Sequence, residues 1–119
     1  MNNLSQLKIW QEAIDLTVEV YKATAKFPTE EKYGLISQTR RSVVSVSSNI
    51  AEGAGRNSKK EFRHFLGIAN GSSYELLTQL VIAARLELLT QTNVERMLDK
   101  IDKIQRMNYN LQSTLSNQK

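Results

Sequence analysis

Leu35-Ile36-Ser37-Gln38-Thr39-Arg40-Arg41-Ser42-Val43-Val44-Ser45-Val46-Ser47-Ser48-Asn49-Ile50 is the stretch on which the fold turns. Its β-branched and serine residues, dense from Ser42 to Ser48, have poor intrinsic helix propensity, and strand is the competing reading. The apolar period decides for helix. Leu35, Ile36, Thr39, Val43, Val46 and Ile50 recur every three or four positions, whereas a pleated strand repeats every second one. A helix of that composition is held by packing, so other helices must flank it.

Outward toward the N-terminus, Leu7, Trp10, Ile14, Thr17 and Tyr21 share one face, and Ile9, Ala13, Leu16, Val20, Ala23 and Phe27 lie beside them. Together they predict a helix from about Ser5 to Lys26 with an apolar face wider than one neighbour covers. Phe27-Pro28-Thr29 breaks it, because proline disfavours helix in the preceding residue; Thr29 with Glu30 and Glu31 reads as the cap and acidic first turn of the second helix. Toward the C-terminus, Gly53-Ala54-Gly55 ends the second helix, and Ser58-Lys59-Lys60-Glu61 reads as a capping box opening a third. Phe62, Phe65, Leu66, Ala69, Ser73, Leu76, Leu80 and Ala83 continue the buried face. Ten of the fourteen positions from Leu76 to Leu89 are apolar and point all round the helix, so self-association is expected to cover them. Thr92-Asn93-Val94-Glu95 reads as a second capping box. The fourth helix carries Met97, Ile101, Ile104, Asn108, Leu111 and Leu115, a heptad-like seam in which Asn108 sets register. The polar tail after Ser116 is expected to fray. Short breaks between four helices predict one all-α domain over residues 1–119, an antiparallel up-down-up-down four-helix bundle.

Composition agrees and excludes much. With 119 residues, 40% hydrophobic and 24% charged, the chain has the size and make-up of one folded domain. One proline and five glycines are too few for an all-β fold with its frequent turns. The absence of cysteine removes disulfides, thiolate metal sites and cysteine nucleophiles, and a single histidine removes multi-histidine metal sites. No apolar run approaches the ~20 residues of a membrane span, and Met1-Asn2-Asn3-Leu4-Ser5 lacks the basic and apolar stretches of a signal peptide. A cytoplasmic protein without membrane contact or cofactor is expected. Sixteen basic against twelve acidic residues give a net charge of +4 and a pI near 9.5. The excess is densest at Arg96, Lys100, Lys103 and Arg106, a balance that permits attraction to phosphates and equally serves an ordinary solvated surface.

Few motifs carry chemistry. Gly53-Ala54-Gly55-Arg56-Asn57-Ser58-Lys59-Lys60 resembles a phosphate-binding loop only loosely: Ser58 stands where the second glycine must be, Lys60 where Ser or Thr must be, and a helix precedes it. It is a helix–helix turn, although free amides opening the third helix, with Arg56, Lys59 and Lys60, could hold one anion. His64 beside Glu61 has no nucleophile and orienting group near it, and Glu52, Glu61 and Glu75 lack the paired Glu-x-x-His spacing of di-metal bundles. Arg40, Arg41, Ser45, Asn49, Glu52 and Arg56 form a polar stripe on the second helix, either a hydrogen-bonded or solvated face or a grip on phosphates or an acidic partner. Gly67-x-x-x-Gly71 followed by Ser72 and Ser73 is expected to let another backbone approach, within one subunit or between subunits.

Five ordered fragments carry a family resemblance: Leu7-x-x-Trp10-x-x-Ala13; Phe27-Pro28-x-x-Glu31-x-Tyr33-Gly34-Leu35; Gln38-x-Arg40-Arg41-Ser42-x-x-Ser45; Asn49-Ile50-Ala51-Glu52-Gly53-x-Gly55-Arg56; and Glu61-Phe62-x-x-Phe65-Leu66-x-x-Ala69-x-Gly71-Ser72, continued by Glu75-Leu76 and Gln79. Together they resemble the four-helix-bundle protein encoded in intervening sequences of bacterial 23S ribosomal RNA genes. The likeness runs from Leu7 to Leu89, with departures at Ser42 and Val46, where Ala and Ile are expected. It implies a bundle assembled as a ring-like homopentamer, similar in fold to the accessory variability determinant of diversity-generating retroelements, a basic pentamer that works with a reverse transcriptase and nucleic acid. The resemblance also marks Gln38, Arg41, Asn49, Glu52, Arg56, Glu61 and Glu75 as shared positions.

The expectation is a non-catalytic homo-oligomer that binds nucleic acid, structured RNA foremost, through a pooled basic surface. Five copies would carry about +20, enough for several simultaneous phosphate contacts. Arg40, Arg41, Arg56, Lys59 and Lys60 are the first candidates for phosphate contact, and Arg96, Lys100, Lys103 and Arg106 the second. No aromatic-rich platform for stacking single strands stands out, so shape and charge are expected to dominate. The alternative is a protein-interaction scaffold for a nucleic-acid-processing enzyme, or a bundle of no known activity.

Overall fold

The period of three to four produces four long helices: α1 (Lys8–Thr24), α2 (Ser37–Ala54), α3 (Lys59–Arg85) and α4 (Gln91–Asn117). The structure is a computed structural model and describes residues 3–117; among these there is no strand, and most of the tail expected to fray lies outside them. α1 packs on α2 and α4, and α3 packs on the same two, giving a bundle of 49 × 22 × 21 Å. Its core draws on all four helices. Leu16 and Val20, Val46 and Ile50, Leu76 and Leu80, and Met97 and Ile101 are each at most 1% exposed. Burying a side chain of this kind contributes about 1.5–3 kcal/mol, which outweighs the poor propensity of α2.

Two buried hydroxyls of α2 bond back to their own chain: Thr39 Oγ1 donates to the Leu35 carbonyl at 2.7 Å and Ser47 Oγ to the Val44 carbonyl at 3.2 Å. α2 comes very near α3 at Gly53. A Cβ there would stand 2.9 Å from Phe65 Cβ and 3.1 Å from the Phe62 carbonyl oxygen, so only glycine lets α2 lie this near α3. Gly67 and Gly71, in contrast, have nothing within 4 Å of an added Cβ. The close backbone approach expected at that pair therefore does not occur within one subunit.

Two helix starts differ from expectation. Thr29 does not cap a long helix: Thr29–Glu31 is a 3-10 turn, Lys32–Ile36 a π turn, and Gly34 (φ −103°, ψ −111°) interrupts the helical path, so α2 begins at Ser37. The α4 cap is Thr90, whose Oγ1 accepts from Asn93 N at 3.2 Å, two residues before the expected Thr92. α3 ends in a turn with Glu87 left-handed (φ 62°) and Leu88 N donating to the Ala83 carbonyl at 3.0 Å, a glycine-type stop made without glycine. The Ser58 box is as expected, with Glu61 N donating to Ser58 Oγ at 3.1 Å. Asn108, 2% exposed, donates to the Leu66 carbonyl at 2.9 Å and so ties α4 to one position along α3. No helix among the described residues is long and apolar enough to cross a membrane.

The two kinds of glycine give opposite expectations in urea denaturation. Gly53→Ala forces Phe65 and the α3 backbone apart and lowers stability by about 1–3 kcal/mol. Gly67→Ala meets no neighbour and raises it by about 0.5–1 kcal/mol through helix propensity.

Candidate functional site

The outer edge of the α2–α3 contact is polar because the helices are too close there for large apolar side chains. Ser45 Oγ and Ser72 Oγ share a hydrogen bond of 2.8 Å across the two helices, and Asn49 Nδ2 donates to Ser45 Oγ at 3.0 Å and to the Ser45 carbonyl at 2.9 Å. Beside this junction a cleft of about 410 Å³ is lined by Gln38, Arg41, Ser42, Ser45, Glu75 and Gln79. Arg41 and Glu75 are exposed there and take no part in an intramolecular ion pair, while Gln79 Oε1 is buried without a hydrogen-bond partner. A buried acceptor without a donor costs about 1–3 kcal/mol, so Gln79 Oε1 leaves the cleft incomplete until water or another molecule supplies that donor. At its other end the same edge is closed: Arg56 reaches Glu52 at 2.8 Å and Glu61 at 3.6 Å and lies 4.8 Å above the Phe65 ring. The seven polar positions that the resemblance marks thus fall along one α2–α3 edge. Large apolar side chains stand exposed on the same two helices: Val44 on α2 and Ile68, Ile82 and Leu86 on α3, the last 57% exposed. Ile68, Glu75 and Ile82 on α3 and Leu86 at its C-cap follow spacings of seven, seven and four and share a side of the helix.

The nine basic candidates separate into two groups. Six are held inside the molecule. Arg40 Nε donates to Thr24 Oγ1 at 2.9 Å, its Nη2 to the Tyr21 carbonyl at 3.2 Å, and its guanidinium lies 4.5 Å above the Tyr21 ring. Arg56 is taken by two glutamates. Arg96 meets Glu19 at 2.7 Å, and Lys100 and Lys103 meet the two oxygens of Glu12 at 3.2 and 3.0 Å. Arg106 meets Asp102 at 3.1 Å one turn away. The basic run of α4 is therefore mainly a seam to α1, set by Glu12 and Glu19 on one helical face. Arg41, Lys59 and Lys60 have no such partner. At the start of α3, where the free amides offered room for one anion, the Glu61 carboxylate already sits against Ser58 and Arg56. Sequence reasoning missed Gln79 as an open acceptor and Arg63, which lies one turn beyond Lys59 and Lys60, has no carboxylate partner, and lines a hollow with Lys60, His64 and Gln112. The i, i+4 pair Glu75 and Gln79, opposite the i, i+3 pair Gln38 and Arg41, was the signal for the cleft. His64 is exposed and meets Phe65 edge-on, with ring centroids 5.2 Å apart. Among the described residues no three His, Asp or Glu side chains gather as metal ligands would.

A bundle of four helices bearing a polar inter-helix cleft places the chain among all-helical bundle proteins. The model of the family described as 23S rRNA-intervening sequence protein matches residues 5–110, and the chain belongs to that family. Its fold is also that of a crystal structure of a protein of unknown function from the S23 ribosomal protein family of Bacteroides thetaiotaomicron VPI-5482. The two align with a TM-score of 0.78 at 20% identity, covering 87% of this chain and 97% of that one. No curated protein matches the chain.

The α1–α4 seam is acid-sensitive. The Lys103 ammonium foremost, with Lys100 beside it, holds the Glu12 carboxyl below its usual range against the opposing effect of burial. A lowered folded-state pKa gives stability that is present above the unfolded pKa and lost as pH falls through the folded one. Denaturation followed from neutral pH into the acid range is expected to show Glu12→Gln less stable than wild type at neutral pH, with the difference closing in acid.

Proposed function

We propose that this protein acts without catalysis, as an antiparallel four-helix bundle that assembles into a homo-oligomer and binds structured RNA through cations its own carboxylates leave unpaired. The antiparallel reading is supported by the cross-links between helices: Glu12 meets Lys100 and Lys103 while Glu19 meets Arg96, and Ser73 meets Gln105 while Leu66 meets Asn108. Rising numbers on one helix match falling numbers on its neighbour. Assembly is carried by one observation: Ile82 and Leu86 stand 45% and 57% exposed on the α3 side that also bears the incomplete cleft. A second copy on that face would cover the apolar groups and bring partners to Arg41, Glu75 and Gln79 together. Ring closure needs a second, different patch, and Val18 and Tyr21 on α1, 48% and 40% exposed, supply apolar surface for one. Five copies, the number the family resemblance implies, form a particle of about 68 kDa with a charge of about +20. Arg41, Lys59 and Lys60 are the basic candidates without a partner in the chain; Arg40, Arg56, Arg96, Lys100 and Lys103 serve the fold, and Arg106 pairs only with exposed Asp102 one turn away on its own helix.

Mass photometry and gel-shift titration against ribosomal RNA fragments at several salt concentrations test both halves. The expected result is a species several-fold heavier than 13.5 kDa, reduced to monomer by Ile82→Asp with Leu86→Asp, and RNA binding that weakens steeply as salt rises. A wild-type monomer at micromolar concentration contradicts assembly and leaves the exposed face to a different protein, the scaffold reading. No RNA binding at low salt contradicts the RNA half.

A further inference from the structure

On the outer side of the α3–α4 pair, three hollows of about 390, 300 and 340 Å³ adjoin through shared residues. Lys60, Arg63 and His64 meet Gln112 in the first; Arg63 and Gln112 meet Tyr109 in the second; Tyr109 meets Tyr74 and Arg106 in the third. Together they trace a groove from Lys60 to Tyr74, about 21 Å along α3, room for roughly six nucleotides at stacked spacing.

Two features of the groove point to one occupant. Its charge is positive: Lys60 and Arg63 have no carboxylate partner, and Asp102 is the only acid in its lining. Asp102 pairs with Arg106, but both side chains are about two-thirds exposed or more, and such a pair holds weakly against a competing phosphate. The groove also carries the most exposed large aromatic side chain of the described residues. Tyr109 is 74% exposed and Tyr74 54%, and neither ring packs on another ring or cation. On the stretch of α3 between Lys60 and Tyr74, a Cβ added at Gly67 or Gly71 would meet nothing within 4 Å, so those two positions add no side chain that would obstruct a strand. Basic groups followed by free aromatic faces are how proteins hold unpaired nucleic acid, phosphates on the cations and bases stacked on the rings. A base inside a duplex cannot reach such a ring.

We infer that the α3–α4 groove is a track for an unpaired RNA strand, with phosphates on Lys60 and Arg63 and a base stacked on Tyr109. This rests on the RNA reading above and narrows it to the unpaired segments of a structured RNA. It also replaces the expectation that no stacking platform exists, because the two tyrosines, 35 residues apart in sequence, meet only in the fold.

Fluorescence anisotropy at low salt tests it, with a short unstructured oligoribonucleotide and an RNA duplex of equal length as probes. Wild type is expected to bind the single strand more tightly than the duplex. Tyr109→Phe keeps that affinity, and Tyr109→Ala, at an exposed position that does not bear on folding, loses about tenfold or more. Arg63→Gln is expected to weaken binding of all sequences alike and lower the salt slope by about one. If wild type binds RNA but Tyr109→Ala holds the strand as tightly, or the duplex is preferred, the track is overturned and the RNA reading stands. If wild type binds neither probe, both fall.

Discussion

The close approach of α2 to α3 is the constraint on which the rest depends. At Gly53 the helices are so near that a methyl group would collide with Phe65 and the α3 backbone, and farther along Ser45 and Ser72 touch through their hydroxyls. Small and hydroxyl-bearing residues are the ones that permit this spacing, which explains why α2 has a composition so poor in helix formers. The packing that rescues α2 as a helix leaves its outer edge without large side chains. Arg41, Glu75 and Gln79 therefore border a cleft that the chain's own atoms do not fill. Local propensity, packing and the incomplete cleft are three consequences of one distance.

Charge is distributed by the same logic. Glu12 and Glu19 lie on the α1 face that meets α4, and they take Arg96, Lys100 and Lys103 into the fold. Each of these pairs is partly exposed and contributes modestly, but they remove the densest basic run from the accessible field. Among the described basic residues without an ion pair, Lys59, Lys60 and Arg63 cluster where α3 begins, while Lys8, Lys22, Lys26, Arg41 and Arg85 lie apart. The densest basic run of the sequence is thus paired along the α1–α4 seam, and the α3–α4 groove keeps Lys60 and Arg63 free of carboxylates on the side that also bears Tyr109 and Tyr74.

Most of the fold was legible in the sequence. The three-to-four period of Val43, Val46 and Ile50 overrode the strand-like composition around them, and Asn108 was recognisable as the polar residue that fixes register. Helix ends were less legible. Thr92 and Thr29 both have capping chemistry, yet Thr90 caps α4, and the path of the chain at Gly34 starts α2 late; caps are decided by where the chain turns, which composition does not encode. The polar edge was visible as a set of positions, from Gln38 to Glu75, because family resemblance marks residues whatever their role. The division of the basic residues was not, since a lysine's partner lies some 90 residues away and emerges only when α1 and α4 pack. The glycine pair at 67 and 71 was read as a packing device, and the bare backbone there meets nothing of this chain.

The central claim is that the α3 side bearing Ile82 and Leu86 is covered by another copy in solution. The described chain contains no cysteine, so a single Leu86→Cys substitution reports on that surface alone. The measurement is the rate of maleimide labelling of Leu86→Cys as protein concentration is varied. Slow labelling at high concentration that quickens on dilution is the predicted result. Labelling as fast as that of a freely exposed thiol at every concentration would contradict it.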